Sequence, residues 1–262
     1  MGQRLYQHYR KRRVARLVDG FEPSHVTHDY GGRELCVAIR DPLARGWYDH
    51  DWSVPPEVVF LAEHGLAAGA RVFDLGAHQG IVALLLEHLT GPSGHVVAVE
   101  ASPHNAAVAA ENARANGSGV DVLNAAVGSS DGSVYVSAEL NASISSTPFP
   151  GGRRIRSVSI DTLADERGEP GFVLLDVEGA ECLALDGAQR TLEQIRPVWA
   201  IEVHTGAGLE ELGGSASQLY ERFAGAGYAI WFATGANGEQ FHRLNQAREI
   251  PDQRFFMGAV PS

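Results

Sequence analysis

The run Val72-Phe73-Asp74-Leu75-Gly76-Ala77-His78-Gln79-Gly80, followed by Val96-Val97-Ala98-Val99-Glu100, restricts the chain to very few architectures. Four apolar-flanked residues make a buried strand, two glycines make a turn into a helix, and a second apolar run makes another strand with an acid at its tip. Two such strands joined through a helix form a parallel βαβ unit. Gly76 and Gly80 carry no side chain, so the backbone of the turn can approach a ligand at a helix N-terminus. An acid about 20 residues beyond the glycines is the expected place for a carboxylate that accepts both ribose hydroxyls, and Glu100 stands there. The turn therefore reads as a site for a nucleoside-containing cofactor, with Asp74, Gly76, Ala77, His78, Gly80, Glu100 and Ala101 around it.

The spacing selects among cofactors. Gly-x-Gly-x-x-Gly, which brings backbone against a pyrophosphate, is absent, and so is the phosphate loop ending in Gly-Lys-Ser/Thr. An acid directly before the turn would repel a pyrophosphate. It suits a molecule carrying an ammonium and a sulfonium, and S-adenosylmethionine (SAM) has both.

Further along, strands alternate with helices. Strands are expected at 71–74, 95–100, 120–125, 153–160, 172–176, 198–204, 228–232 and 254–260. Helices are expected from Pro55-Pro56 to about Gly65, at 79–89, 103–116, 181–195 and 215–226, with a short one starting at Asp161. The order implies an α/β fold, a Rossmann-like, doubly wound and mostly parallel sheet with an antiparallel strand near the C-terminus. Residues 54–262 form this domain and 1–53 an N-terminal extension. A strand is expected at Cys36–Ile39, and the aromatic stretch Asp41–Trp52 is placed to cover the site or touch substrate. Gly132–Glu139 reads as a hairpin-like insertion, and Asn141–Gly152 as a loop over the acceptor.

In an open parallel sheet, ligands sit beyond the carboxyl ends of the strands. Asp74, Glu100, Asp176, Glu202 and His204 all fall at that edge. Glu202 and His204 are two apart on one strand and are expected on one face, so that Glu202 orients His204 as a general base with Asp176 nearby. The competing arrangement uses Asp176, Glu178 and Glu202 as oxygen ligands of Mg²⁺. Asn124, ending its strand, is the candidate for adenine contact, ahead of Asp121. His28, His50, His64 and His104 have no ligand-like spacing.

Asp-Val-Glu-Gly-Ala-Glu at 176–181, Leu185-Asp186-Gly187-Ala188, Arg196-Pro197, Ile201-Glu202-Val203-His204, Val158–Leu163 and the Asp74–Gly80 turn together resemble the FkbM family of SAM-dependent methyltransferases, over about residues 54–260. The resemblance implies that the glycine turn and Glu100 bind SAM, and that the reaction is oxygen methylation of a sugar or natural-product hydroxyl. Two positions depart from the family pattern: His78 stands where Asn is frequent, and Leu174 where a Lys is. N- or C-methylation of a small molecule and a non-catalytic SAM-binding module are the alternatives.

Composition narrows the partners. A net charge of −11 repels a phosphate backbone, so a small-molecule substrate is expected and a nucleic acid is not. The one basic concentration, Arg10-Lys11-Arg12-Arg13 with Arg16, reads as a solvated segment or a flap over the site. Lys11 is the only lysine, a poor candidate for a Schiff base or nucleophile. No apolar run approaches the roughly 20 residues that span a bilayer, and a cytoplasmic location is expected. Cys36 and Cys182 make neither a disulfide framework nor a metal knuckle. Assembly into a homo-oligomer stays open at this level.

Overall fold

The computed structural model describes residues 20–137, 144–145, 147–234 and 240–262. The basic segment at 10–16, Ser143 and Ser146 lie outside the described residues.

The strands are β1 (Ser24–Tyr30), β2 (Arg33–Ile39), β3 (Arg71–Leu75), β4 (His95–Glu100), β5 (Asp121–Asn124), β6 (Ala126–Val127), β7 (Gly132–Val136), β8 (Ile144–Ser145), β9 (Arg153–Val158), β10 (Phe172–Leu175), β11 (Val198–Val203), β12 (Tyr228–Ala233), β13 (His242–Leu244) and β14 (Phe255–Pro261). The α-helices are α1 (Pro42–Tyr48), α2 (Pro56–Glu63), α3 (Ile81–Thr90), α4 (Pro103–Ala115), α5 (Ile160–Arg167), α6 (Glu181–Asp186) and α7 (Ala216–Gly225).

Eight strands form the main sheet in the order β13-β12-β14-β11-β10-β3-β4-β5. From β11 to β5 every pair is parallel, and β14 runs antiparallel between β11 and β12. Successive residues of the central strands are apolar because both faces are covered. Phe73, Leu75, Val173, Leu175, Trp199 and Ile201 pack on one side with Leu163, Leu185, Leu219 and Phe223 of α5, α6 and α7. Val72, Val96, Leu174 and Ala200 pack on the other with Val58, Phe60, Leu61 and Leu86 of α2 and α3. The chain leaves β3 toward β4 on one side and returns through β10 on the other. The carboxyl ends of β3 and β10 therefore flank a topological switch point, where such sheets open a crevice.

Gly76 and Gly80 hold this point together by close packing. Gly76 has φ +98°, and a Cβ there would lie 1.7 Å from the Asp176 carbonyl oxygen; Gly80 has φ +81°, with Ala109 of α4 at 3.0 Å from a Cβ. Neither position accepts a side chain without displacing β10 or α4.

Three segments differ from the sequence expectation. The stretch 181–195 is not one helix: α6 stops at Gly187, and a π-helical turn at Thr191–Ile195 follows. Asp161 accepts hydrogen bonds from the backbone of Arg190 and Thr191 and caps the start of that turn. The insertion is a separate four-stranded sheet, β6-β9-β7-β8, which includes the expected strand at 153–160. The extension contains a hairpin, β1–β2, across Gly31-Gly32, both at positive φ, as a two-residue hairpin requires. Its strand β2 is bound by side chains of α4: Asn112 Oδ1 accepts from Ala38 N at 2.7 Å, and Asn116 exchanges bonds with both backbone groups of Cys36. Tyr30, Leu35, Val37 and Ile39 share a core with Ile81, Leu84 and Leu85 of α3. Among the described residues no helix is long and apolar enough to cross a membrane.

Candidate active site

A cavity of about 620 Å³ opens at the switch point. Asp74, Gly76, Ala77, His78, Glu100 and Ala101 line one end, and Asp176, Glu178, Arg254 and Phe256 contribute from the β10 and β14 side. Its volume lies within the range of small-ligand sites. Trp47, Tyr48, His50, Asp51 and Trp52, from α1 and the turn after it, supply a further part of the wall. Glu57, in the first turn of α2, also lines it.

Glu100 is 7% exposed. One carboxylate oxygen accepts from His78 N at 2.9 Å and the other from Ser102 N at 2.6 Å. The Asn105 side chain donates a third hydrogen bond to this carboxylate, which keeps acceptor capacity for a ligand hydroxyl. Burial pushes its pKa up to about 7 against the pull of these bonds. Asp74 is 1% exposed with Oδ2 unpartnered, and burial, with the charges of Glu57 and Glu100, raises it to about 7. A shielded carboxylate oxygen without a donor calls for a polar or cationic partner. These groups fit SAM, whose ammonium, sulfonium and ribose hydroxyls are the complementary set.

His78 joins this turn to α1. Its backbone is left-handed, at φ +48°, and Tyr48 Oη lies 2.6 Å from its Nδ1. Burial holds the His78 pKa down to about 4 and keeps the Tyr48 phenol protonated. The phenol therefore donates to Nδ1, and the imidazole proton sits on Nε2, which is shielded and has no protein partner. Behind it Asp41, 1% exposed, caps α1 through Leu43 N and Ala44 N and accepts from Gln79 Nε2 and His104 Nε2.

On the β10 side the sequence expectation needs correction. The carboxylate that orients His204 is Glu181, whose Oε1 lies 2.6 Å from Nδ1, both side chains being fully buried. Glu202 instead binds Arg254. His204 lies one residue beyond the end of β11, where strand alternation no longer sets side-chain direction. Its Nε2 faces Asp176 at 3.5 Å and Glu178 at 3.4 Å. Asp176 and Glu178 line the cavity, whereas Glu202 and His204 do not. Burial opposes protonation of His204, but the Glu181 hydrogen bond and the charges of Glu181, Glu178 and Glu202 outweigh it and raise its pKa. Burial also raises Asp176 well above the carboxylate range, assisted by Glu202 and Glu178.

Asn124 is not on the cavity wall. Its amide donates to the carbonyls of Glu100 and Ala101 and fixes the chain direction at the tip of β4. Asp121 binds Arg167 at 2.8 Å. Single donor atoms of Asp176, Glu202 and His204 come within 4.8 Å of one another, but a guanidinium already holds Glu202. An imidazole is also a poor ligand for Mg²⁺. These residues do not fit the Mg²⁺ set of Asp176, Glu178 and Glu202.

The buried acids have a thermodynamic consequence. Asp74 and Glu100 titrate near 7 in the folded protein and near 4 in an unfolded chain. Between pH 6 and 8 the unfolded state is already ionised, while the folded state must ionise at a cost. Stability therefore falls as pH rises, by about 1.4 kcal/mol per group over that interval. The cofactor-free protein is expected to melt several degrees lower at pH 8 than at pH 6, and saturating SAM should narrow the gap. A melting temperature that rises with pH would show that these acids are not held near 7.

Comparison with known proteins gives the family. Residues 74–230 match the model of the methyltransferase FkbM domain. An FkbM methyltransferase from Methylobacillus flagellatus KT is similar at 17% identity and a TM-score of 0.51, over 79% of this chain and 48% of that one. A precorrin-6y C5,15-methyltransferase from Geobacter metallireducens GS-15 aligns at 15% identity and a TM-score of 0.48, over 79% of this chain and 87% of that one. A SAM-dependent methyltransferase from Aquifex aeolicus aligns at 17% and 0.46, over 84% and 93%. No curated protein sequence gives a significant match. The family model covers more than half of the chain, which belongs to the FkbM family and is a SAM-dependent methyltransferase.

Proposed function

We propose that this methyltransferase transfers a methyl group to a hydroxyl of a small molecule, a sugar or natural-product intermediate, with Asp176 as the general base. The observation that carries the reading is the position of Asp176: it lies on the cavity wall across the switch point from Glu100, with His204 Nε2 3.5 Å behind its Oδ1. A carboxylate that reaches the acceptor hydroxyl is a competent base for its proton. SAM, when bound, supplies an electrophilic methyl on a sulfonium. Glu100 would accept the ribose hydroxyls, and Asp74 with the backbone of Gly76, Ala77 and His78 would hold the rest of the cofactor at that end of the cavity. The acceptor hydroxyl would give its proton to the Asp176 carboxylate as its oxygen takes the methyl group, and the sulfonium would leave as a neutral thioether. The walls from α1 and α2 exclude water and align acceptor and methyl, which is the larger part of catalysis in an in-line displacement.

His204 stands behind Asp176 as a positioning residue. Its pKa is raised by Glu181, so it holds a proton more readily than a free imidazole, and in that form its charge favours the ionised form of Asp176. Removing that charge in His204→Gln should raise the Asp176 pKa, so the acid limb of the pH–rate profile is expected to move to higher pH. An unshifted limb with reduced kcat would assign His204 a structural role alone.

The direct test is incubation with methyl-labelled SAM and a panel of hydroxylated small molecules, followed by identification of the methylated atom. Label on oxygen supports the reading, and label on nitrogen or carbon overturns it. EDTA is expected to leave the rate unchanged, because Arg254 already neutralises Glu202. A rate abolished by EDTA and restored by Mg²⁺ would return Asp176, Glu178 and Glu202 to a metal-binding role.

A further inference from the structure

We infer that Glu57, at the start of α2, is a cofactor-binding residue: with Asp74 it forms a pair of carboxylates that holds the ammonium group of SAM. The inference rests on the methyltransferase reading of the cavity and adds to the cofactor site a residue from outside the strand–turn–helix–strand unit.

Glu57 is the second residue of α2. An acid in the first turn of a helix ordinarily lies in water, where it meets the positive end of the helix dipole. Here Val58, Phe60 and Leu61 anchor α2 on the sheet, and its first turn comes to lie on the cavity wall, which Glu57 and Asp74 both line. Glu57 Oε2 and Asp74 Oδ2 are shielded from solvent, and neither has a hydrogen-bond partner. Two shielded carboxylate oxygens without donors in one cavity mark a place for a group that brings donors.

The surrounding charges decide what that group is. Asp176 has His204 at 3.5 Å, and Glu202 has Arg254. The charges acting on Glu57 and Asp74 are by contrast all negative: Glu202 acts on Glu57, and Glu57 and Glu100 act on Asp74. Burial first, and then these charges, lift both acids to about 7. Near neutral pH the pair therefore holds about one proton between its two members. A ligand ammonium can take the place of that proton. It brings one positive charge and three N–H donors, enough to satisfy both open oxygens, and such charge-assisted bonds are stronger than neutral ones. A hydroxyl would donate to one oxygen only and bring no charge. Of the groups of SAM the ammonium alone has the required combination, because the sulfonium is a cation without an N–H or O–H.

The test is calorimetric titration of the full chain at pH 7 with two probes, S-adenosylhomocysteine and its desamino analogue, which keeps the carboxylate and lacks only the amine. The parent is expected to bind S-adenosylhomocysteine at least about tenfold more tightly than the analogue. Glu57→Gln keeps the shape of the side chain and cannot carry its charge. It should lower the affinity for S-adenosylhomocysteine by about tenfold and leave that for the analogue within about twofold. Repeating the titrations in buffers of different ionisation enthalpy follows the proton. S-adenosylhomocysteine should release up to about one proton more than the analogue from the parent, and the difference should shrink in Glu57→Gln. Unchanged affinity for S-adenosylhomocysteine in Glu57→Gln, or an equal loss for both probes, would overturn the assignment, the second because it reports a change in cavity shape. Equal proton release by the two probes overturns it in the parent alone, without any variant. If neither probe binds the parent, the cofactor reading falls and this inference with it. If both bind equally well, the cofactor reading stands and only the ammonium site is wrong.

Discussion

Asp176→Asn should lower kcat by about 10²- to 10⁴-fold, the usual contribution of a positioned general base, and leave the SAM dissociation constant within a few-fold of its original value. Asn has nearly the same shape and keeps the hydrogen-bonding capacity of the site, but it cannot take a proton. The backbone of residue 176 is fixed independently of the side chain: its N–H donates to the Leu75 carbonyl at 2.8 Å, and its carbonyl packs over Gly76. The fold should therefore tolerate the change. Because burial and the neighbouring Glu202 and Glu178 make an ionised Asp176 costly, the variant should melt at or above the temperature of the parent at pH 8. Stability retained with activity lost is the signature of a chemical role. A loss of less than tenfold in kcat would remove Asp176 as the base and leave Glu178, the other acid of that segment on the wall, to be tested in the same way.

The parts of the site that were legible in the sequence are those built from neighbouring residues. Asp74, Gly76, His78 and Glu100 fall within one strand–turn–helix–strand unit, where local spacing sets the geometry, and all four line the cavity. Phe73, Leu75, Val97 and Val99 pack on one face, as the two-residue period of a strand dictates. What sequence spacing could not convey is which distant segments the topology brings to the switch point. Glu57 precedes Asp74 by one helix, and its carboxylate acts on both Asp74 and Asp176; Pro55-Pro56 marked the helix start but nothing marked its first acid as a wall residue. Arg254 reaches Glu202 because β14 is inserted between β11 and β12, with Glu202 opposite Phe256 in the register. The partner of His204 was misread for a related reason. A two-residue spacing holds only inside a strand, and Glu181, already noticeable in the Asp-Val-Glu-Gly-Ala-Glu run, is turned toward His204 by the tight path through Glu178 and Gly179, both at positive φ.

Replacing Glu100 by Ala should weaken SAM binding by about 10²- to 10⁴-fold. Each hydrogen bond from a ligand hydroxyl to a charged acceptor contributes about 1.5–3 kcal/mol, so the loss of two corresponds to that range. A second loss compounds the first, because Glu100 also holds His78 N and Ser102 N and thereby fixes the left-handed turn that faces the ligand. Glu100→Gln separates the two contributions. Its carbonyl can still accept one of these N–H groups, but its amide NH₂ opposes the other, so it should recover little of the affinity. The folded protein should nonetheless persist in both variants. An acid held near 7 by burial destabilises the cofactor-free state at pH 8, and its removal offsets much of the cost of two backbone donors left to water in the open cavity. Calorimetric titration with SAM, paired with thermal melts at pH 6 and pH 8, decides the matter. Lost binding with a flatter pH dependence of melting assigns Glu100 to the ribose and to the buried charge. Binding retained within tenfold would mean that the ribose is held elsewhere on the wall.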